Sequence, residues 1–383
     1  MPSRAGLDVK STNLEIPLDN SNALNPDIDE LKSEAVRGLV SMLDGGTNLF
    51  CFRLTSGEQG LTREGLSERY TIMTILGLSE LERAAGKHPF DTRALYKAFV
   101  QDIHWIDGVG DLGLLIWMSA NFAPDQLEDL FRRIDLQTAL DRHQDARHAR
   151  TMELSWFLAG LSHAALASPD AAPILEDLAV EAYQRLKGNQ TEHGFFGHMS
   201  TRKSMAGILR GRVGSFADQI YPIYAMSKFA SAFSVEEPLC SALECARAIC
   251  SAQGELGQWW WLYDSWTGVV SSRYPVYSVH QHGMGPMGLL ALEVATGQSF
   301  RPQIHKGLRW IYGSNELSAD MRDLSRGLVW RCIRPKSKQT KYWNTALSLI
   351  RHPKDNESTG PLEILHEIRP YELGWLLYAL AGL

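Results

Sequence analysis

The sequence predicts an all-α protein built as a closed ring of six helical hairpins, and three observations predict it. Six segments of helix-forming length are almost free of charge except at their front ends. Each is preceded by a segment whose apolar residues recur at three- and four-residue spacing with charges between them. Three prolines, Pro222, Pro286 and Pro370, fall near the start of uncharged segments, where proline is best tolerated in a helix. A helix that is apolar on nearly all faces gains free energy only when its whole circumference is buried, whereas an amphipathic helix keeps one face in water. Alternation of the two kinds puts six helices inside and six outside, an (α/α)6 toroid.

In chain order, the first pair is the amphipathic "DIDELKSEAVRGLVSMLD" from Asp27 and the apolar "ERYTIMTILGL" from Glu68. The second is "DTRALYKAFVQDIHW" from Asp91 and "GDLGLLIWMSANF" from Gly110. The third is "PDQLEDLFRRIDLQTALDRH" from Pro124, read as one outer helix, and "MELSWFLAGLSHAAL" from Met152. The fourth is "AAPILEDLAVEAYQRLKGNQ" from Ala171 and "ADQIYPIYAMSKFASAF" from Ala217. The fifth is "EPLCSALECARAICSAQ" from Glu237 and "HQHGMGPMGLLALEVATG" from His280. The sixth is "RPQIHKGLRWIYGSNEL" from Arg301 and "RPYELGWLLYALAGL" from Arg369. Later units are longer, and the added residues fall before the inner helices.

This organisation gives a flexible N-terminal segment over residues 1–26 and a single toroid over 27–383, with an insertion or flap at about 318–368. The net charge of −6 and scattered Lys/Arg argue against a nucleic-acid surface. The N-terminus lacks the apolar core of a signal peptide and no run approaches a membrane span, so a soluble, cytoplasmic protein is expected. The five cysteines form no CxxC pair and read as reduced thiols, with no zinc site and no cofactor expected. Oligomeric state is not legible.

In this register every inner helix opens its N-terminus on the same end of the ring. That mouth collects Arg69, Asp111, Glu153, Asp218, His280, His282, Arg369 and Glu372. Acidic residues suit helix N-termini through capping and the dipole, but cations do not, so mixed charge at one mouth points to a site. Aromatic residues crowd the same region: Tyr70, Tyr221, Trp259, Trp260, Trp261, Tyr263, Tyr277 and Tyr371, with Asp264 and Arg273 beside them. In "RYPVYSVHQHGMGPMG", His280 and His282 lie two residues apart, which on an extended segment points both to one side. The basic stretch after residue 318 reads as a solvated insertion or, alternatively, as a flap over the mouth whose cations bind a phosphate, diphosphate or uronate.

Two stretches share the form Q-x3-G-x-aromatic after an outer helix: Gln190, Gly194 and Phe196, then Gln253, Gly257 and Trp259. The pattern resembles the QW repeat of the terpenoid cyclase and protein prenyltransferase superfamily. It reads physically as a brace, with the glutamine amide satisfying helix-end carbonyls and glycine permitting the turn. The resemblance implies a toroid enzyme that protonates an isoprenoid-like substrate to start cyclisation. No DxDD or DDxxD motif accompanies it; "DIDE" at Asp27–Glu30 opens an outer helix and reads as a capping segment.

The favoured function is therefore a terpenoid-cyclase-like enzyme with Asp218 as acid and Asp111 second. Aromatic faces would stabilise carbocations there. The alternative is a carbohydrate-active enzyme, a glycoside hydrolase, lyase or uronyl epimerase, using paired groups such as Glu153 with Asp218 or His280, with Tyr277 nearby. Similar toroids form the six-hairpin glycosidases and sugar epimerases. A small-molecule or oligosaccharide substrate follows in either case; a non-catalytic binding scaffold is the third possibility.

Overall fold

A computed structural model describes residues 26–58, 60–144, 149–199, 211–336 and 360–383. Thirteen α-helices run along these residues. In chain order they are α1 (Ile28–Val40), α2 (Glu68–Arg83), α3 (Thr92–Gln101), α4 (Val109–Phe122), α5 (Leu127–Arg133), α6 (Leu136–Arg142) and α7 (Thr151–Ala167). Then follow α8 (Ala172–Lys187), α9 (Phe216–Phe233), α10 (Glu237–Ser251), α11 (Gly285–Thr296), α12 (Arg301–Ile311) and α13 (Pro370–Leu380).

The apolar helices form the inner ring. Helix α2 packs on α4, α4 on α7, α7 on α9, α9 on α11, α11 on α13, and α13 back on α2. In α4 every residue from Val109 to Ala120 is buried, whereas outer α1 buries only Leu31, Glu34, Ala35, Gly38 and Leu39, one stripe at helical spacing. The Asp27 side chain accepts the Glu30 N–H at 2.9 Å and caps α1, the role read from "DIDE".

Close approach of inner helices depends on paired glycines. A Cβ on Gly77 of α2 would collide with the Gly374 carbonyl of α13, and one on Gly160 of α7 would collide with the Gly113 carbonyl of α4. These helices touch backbone to backbone.

Three details depart from the sequence reading. The third outer segment is two helices, because Asp135 accepts the Thr138 N–H at 2.9 Å and starts α6 afresh. Pro222 lies inside α9, since Ser215 caps the helix well before it. Pro286 follows a π turn over His280–Met284, in which the Gly285 N–H donates to His280; the wide turn runs into α11 ahead of the proline.

The fold is also not purely helical. Small antiparallel sheets occupy links from outer to inner helices, at the mouth. Strands β1 (Leu43–Asp44), β2 (Leu49–Gly57) and β3 (Gly60–Leu66) precede α2, and β4 (Val213–Ser215) precedes α9. Strands β5 (Leu262–Asp264), β6 (Val269–Ser272) and β7 (Val276–Tyr277) precede α11. Strands β8 (Arg322–Asp323), β9 (Leu328–Val329), β10 (Cys332–Pro335), β11 (Leu362–Leu365) and β12 (Glu367–Ile368) precede α13. The sheets join distant links: β12 pairs with β2 through Ile368 and Leu54, β10 lies between β7 and β11, and β4 pairs with β5.

The two glutamine repeats make equivalent braces. Gln190 Nε2 donates to the Gly194 and Ser241 carbonyls at 3.0 and 2.9 Å, and Gln253 Nε2 donates to the Gly257 and Gln303 carbonyls, both at 3.0 Å. Of the accepting carbonyls, Ser241 and Gln303 lie in the following outer helix, α10 or α12, and Gly194 and Gly257 in the repeat's own turn; none is at the end of the preceding helix. The cysteines are free thiols. No described helix is long and apolar enough to cross a membrane. The N-terminal segment read from the sequence lies, but for Pro26, outside the described residues, as does the middle of the expected flap, residues 337–359.

Replacing Gly113 by alanine should destabilise the fold by ~2 kcal/mol or more, because its Cβ meets the backbone of Trp156 and Phe157, which no side-chain rotation relieves. Gly45→Ala, with open space around it, should leave urea unfolding nearly unchanged.

Candidate active site

Four inner helices carry an acid at the third helical position: Asp111 in α4, Glu153 in α7, Asp218 in α9 and Glu372 in α13. That position suits a carboxylate that turns back to the helix cap. Asp218 does so, accepting the Ser215 N–H at 2.8 Å, and Glu372 does so, accepting the Arg369 N–H at 3.3 Å. Asp111 accepts the Asp107 N–H at 3.2 Å. Glu153 alone bonds no backbone amide of its helix start.

Instead Glu153 reaches sideways. Its Oε1 lies 3.2 Å from Arg150 Nη1 and 3.5 Å from Arg69 Nη1, and Arg69 Nε donates to Asp111 Oδ1 at 2.6 Å. The two acids share one guanidinium. Among the described residues, Oε2 of Glu153 bonds no protein group. Arg69 lies over the Trp156 ring at 5.4 Å. Behind it Trp156 meets Tyr221 edge-on at 5.3 Å, and the Tyr221 hydroxyl accepts from Trp375 Nε1 at 2.8 Å. Trp117 stacks below Trp375, so aromatic rings close the lumen beneath the charges.

A second charged wall stands beside this. Glu372 pairs with Arg331, which also lies 3.5 Å from Glu367; Glu367 accepts from Arg369 Nε at 3.1 Å. Arg369 donates to the Tyr70 hydroxyl at 2.8 Å, and Tyr70 packs against Tyr371 at 4.6 Å. Burial raises the Glu372 carboxyl above its usual range even against Arg331, and pushes the Tyr277 phenol up to about 12. Tyr277 contacts Trp261 at 6.3 Å and His280 at 5.2 Å, and Arg331 lies over its ring.

The mouth therefore gathers Arg69, Tyr70, Asp111, Glu153, Tyr221, Trp261, Tyr277, Arg369 and Tyr371 from among the expected residues. Others do different work. Asp218 caps its own helix: its Oδ2 accepts the Ser215 N–H and the Ser215 hydroxyl and lies 2.9 Å from His198 Nδ1. Trp259 is fully buried against Phe216, and Tyr263 is fully buried against Phe195, so both belong to the core. Asp264 caps a turn, accepting the Trp266 and Thr267 amides, and pairs with Arg212. Burial works against its charge, but these partners hold its carboxyl below the usual range. Trp260 and Arg273 lie against one another at 5.5 Å, beside Tyr274, whose hydroxyl donates to Glu316.

His280 and His282 do not form an extended pair, because the π turn rotates them apart. His280 Nδ1 approaches the Trp259 carbonyl at 3.4 Å, and both ring nitrogens of His282 are buried without a partner. Among the described residues no group of three or more His, Cys, Asp or Glu is placed to hold a metal ion. The flap reading also changes: Arg322 pairs with Glu30 and Asp320, Arg326 with Asp323, Arg331 with Glu372, and Arg334 with Glu363. Those cations face protein acids; Lys338 and Lys341 lie outside the described residues.

Sequence reasoning missed Arg150 and His198. Arg150 was legible as an i, i+3 partner of Glu153. His198 carries no local signal, since the chain brings it to Asp218 from the link after α8.

No protein-family model and no curated protein matches the chain. Solved structures do. A possible member of the GH105 family from Klebsiella pneumoniae subsp. pneumoniae MGH 78578 is 11% identical, with TM-score 0.59 over 100% of this chain and 98% of that one. An unsaturated glucuronyl hydrolase responsible for glycosaminoglycan degradation, from Bacillus sp. GL1, is 14% identical, with TM-score 0.56 over 92% and 94%. A sugar epimerase from a ruminal bacterium is 12% identical, with TM-score 0.57 over 92% and 98%. At these identities the likeness concerns the fold alone, an α/α toroid. The terpenoid cyclase resemblance drawn from the glutamine repeats finds no support, and the broader glycosidase-like one does.

Burial lowers both His280 and His282 to about 3, with Arg331 adding to the effect on the first and His280 to that on the second. The unfolded chain takes up these protons near the ordinary histidine value of about 6.5, so the stability tied to the neutral rings is present above that pH and is lost as pH falls toward 3. Urea unfolding at a series of pH values should show His282→Gln flattening the decline below pH ~6.5 by up to ~1.4 kcal/mol per pH unit.

Proposed function

We propose that this chain is a carbohydrate-active enzyme that hydrolyses a uronyl residue from an oligosaccharide, with Glu153 as the catalytic base. The observation that carries the reading is the exceptional use of Glu153 among four equivalent helix-start acids. The other three bond a backbone amide at or beside their helix cap; Glu153 is held by two arginine side chains through Oε1 and keeps Oε2 for a reacting group. A carboxylate so held accepts a proton, and an activated water is the acceptor's natural partner in glycoside hydrolysis.

The surroundings fit a sugar acid. Arg69 and Arg150 are partly exposed and offer planar donor pairs to a substrate carboxylate. Trp156, Tyr70 and Tyr371 present ring faces on which the apolar side of a pyranose packs. The unsaturated glucuronyl hydrolase and GH105 structures that share the fold lend support to this substrate class.

The test is turnover of unsaturated glucuronyl disaccharides made by lyase digestion of a glycosaminoglycan, followed by loss of the ultraviolet absorbance of the sugar double bond. Glu153→Gln should lower kcat by on the order of 10²–10⁴-fold while leaving the melting temperature in place. A Glu153→Gln enzyme that retains wild-type kcat would remove Glu153 from the mechanism, and a wild-type protein without turnover on any uronyl oligosaccharide would remove the reading.

A further inference from the structure

We infer that Lys228, at the foot of the ring, is a reactive amine that condenses with small aldehydes, a covalent site separate from the mouth and independent of the hydrolase reading above. Lys228 follows Asp218 on α9 by nearly three turns, so it lies about 15 Å along the ring axis from the mouth. His163 stands as far beyond Glu153 on α7, and Glu80 of α2 and Tyr378 of α13 reach the same end. All four of these residues are partly exposed, so the foot of the ring is a cup that solvent enters.

The floor of the cup is fixed. The Tyr224 hydroxyl lies 2.5 Å from the Tyr378 hydroxyl and 2.7 Å from His163 Nε2, and Trp117 stacks on both the Tyr224 and His163 rings. Lys228 Nζ lies over the Tyr224 ring at 5.5 Å. Among the described residues no carboxylate pairs with it, because Glu80 is paired with Arg83 at 2.8 Å. An ammonium that sheds water against a ring without gaining an ion pair shifts toward the neutral, nucleophilic amine. The other described lysines differ. Lys32 and Lys187 pair with Asp29 and Glu237, and the rest are exposed.

The charges around Lys228 act in the same sense. Burial lowers its ammonium below the usual lysine range, Glu80 opposes this and Arg83 adds to it. Of the elements packed on α9, α7 brings His163, whose ring burial keeps neutral, and α8, α10 and α11 bring no charge to bear. Burial also raises the Tyr224 and Tyr378 phenols, which stay protonated. The step balances without an oxidant or activator. The Nζ lone pair bonds to the aldehyde carbon as the C=O π pair moves to oxygen. Both Nζ protons then leave with that oxygen as one water, and a C=N bond replaces C=O.

The experiment treats the folded wild-type protein with dilute glycolaldehyde and cyanoborohydride at pH ~7.5, which reduces each imine to a stable secondary amine. Peptide mass spectrometry then gives the initial rate at each lysine. Lys228 should be labelled about fivefold or more faster than the exposed Lys97 and Lys306, and the advantage should vanish in urea. Its rate should also level off at a lower pH than theirs. Folded Glu80→Gln, which removes the charge that favours the ammonium, should label faster at Lys228, and folded Arg83→Gln more slowly. A smaller advantage in the wild type, one that persists in urea, or a Glu80→Gln protein that labels no faster overturns the inference.

Discussion

The ring depends on how closely its inner helices approach. Gly77 against Gly374, and Gly113 against Gly160, let two pairs of inner helices touch through their backbones. With no side chain between them, these helices set a narrow lumen, and aromatic rings fill it: Trp156, Tyr221, Trp375 and Trp117 pack in sequence from the mouth inward. A wider ring would leave that column loose, and a loose column would not hold Arg69 over Trp156. The position of the charged cluster is thus a consequence of glycine contacts lower in the ring.

The same geometry explains why acids at equivalent positions make different contacts. The third residue of a helix is well placed to receive the amide of its own cap, and Asp218 and Glu372 use it so. In α7 the cap is Arg150, whose guanidinium turns to Glu153 from three residues away, and Arg69 arrives from α2. Two side-chain cations replace the cap amide. The carboxylate is then aimed across the mouth rather than down its own helix.

The strands, absent from an all-helical expectation, wall the mouth without disturbing the ring. They lie on the outer-to-inner links and pair links far apart in sequence, as Leu54 does with Ile368. Their arginines are paired with neighbouring acids, so the described part of the insertion before α13 braces the rim. Arg331 shows this most clearly, since it ties β10 to Glu372 at the start of α13.

The sequence by itself determined the alternation of buried and amphipathic helices, the toroid that follows, and the end on which the mouth opens. These are local properties: whether a segment is apolar on one face or on all is written in its own residues. The cap at Asp27 and the bracing role of Gln190 and Gln253 were legible for the same reason, though the glutamines reach forward to the next outer helix. Only the tertiary structure decided which mouth residues work together. Arg69 meets Asp111 and Glu153, Arg331 meets Glu372, and His198 meets Asp218 across helices or links. Trp259, Tyr263 and Asp264 share composition with the site yet face the core or a turn. Burial direction around an irregular link is fixed by packing against other segments, so no local pattern could have separated them.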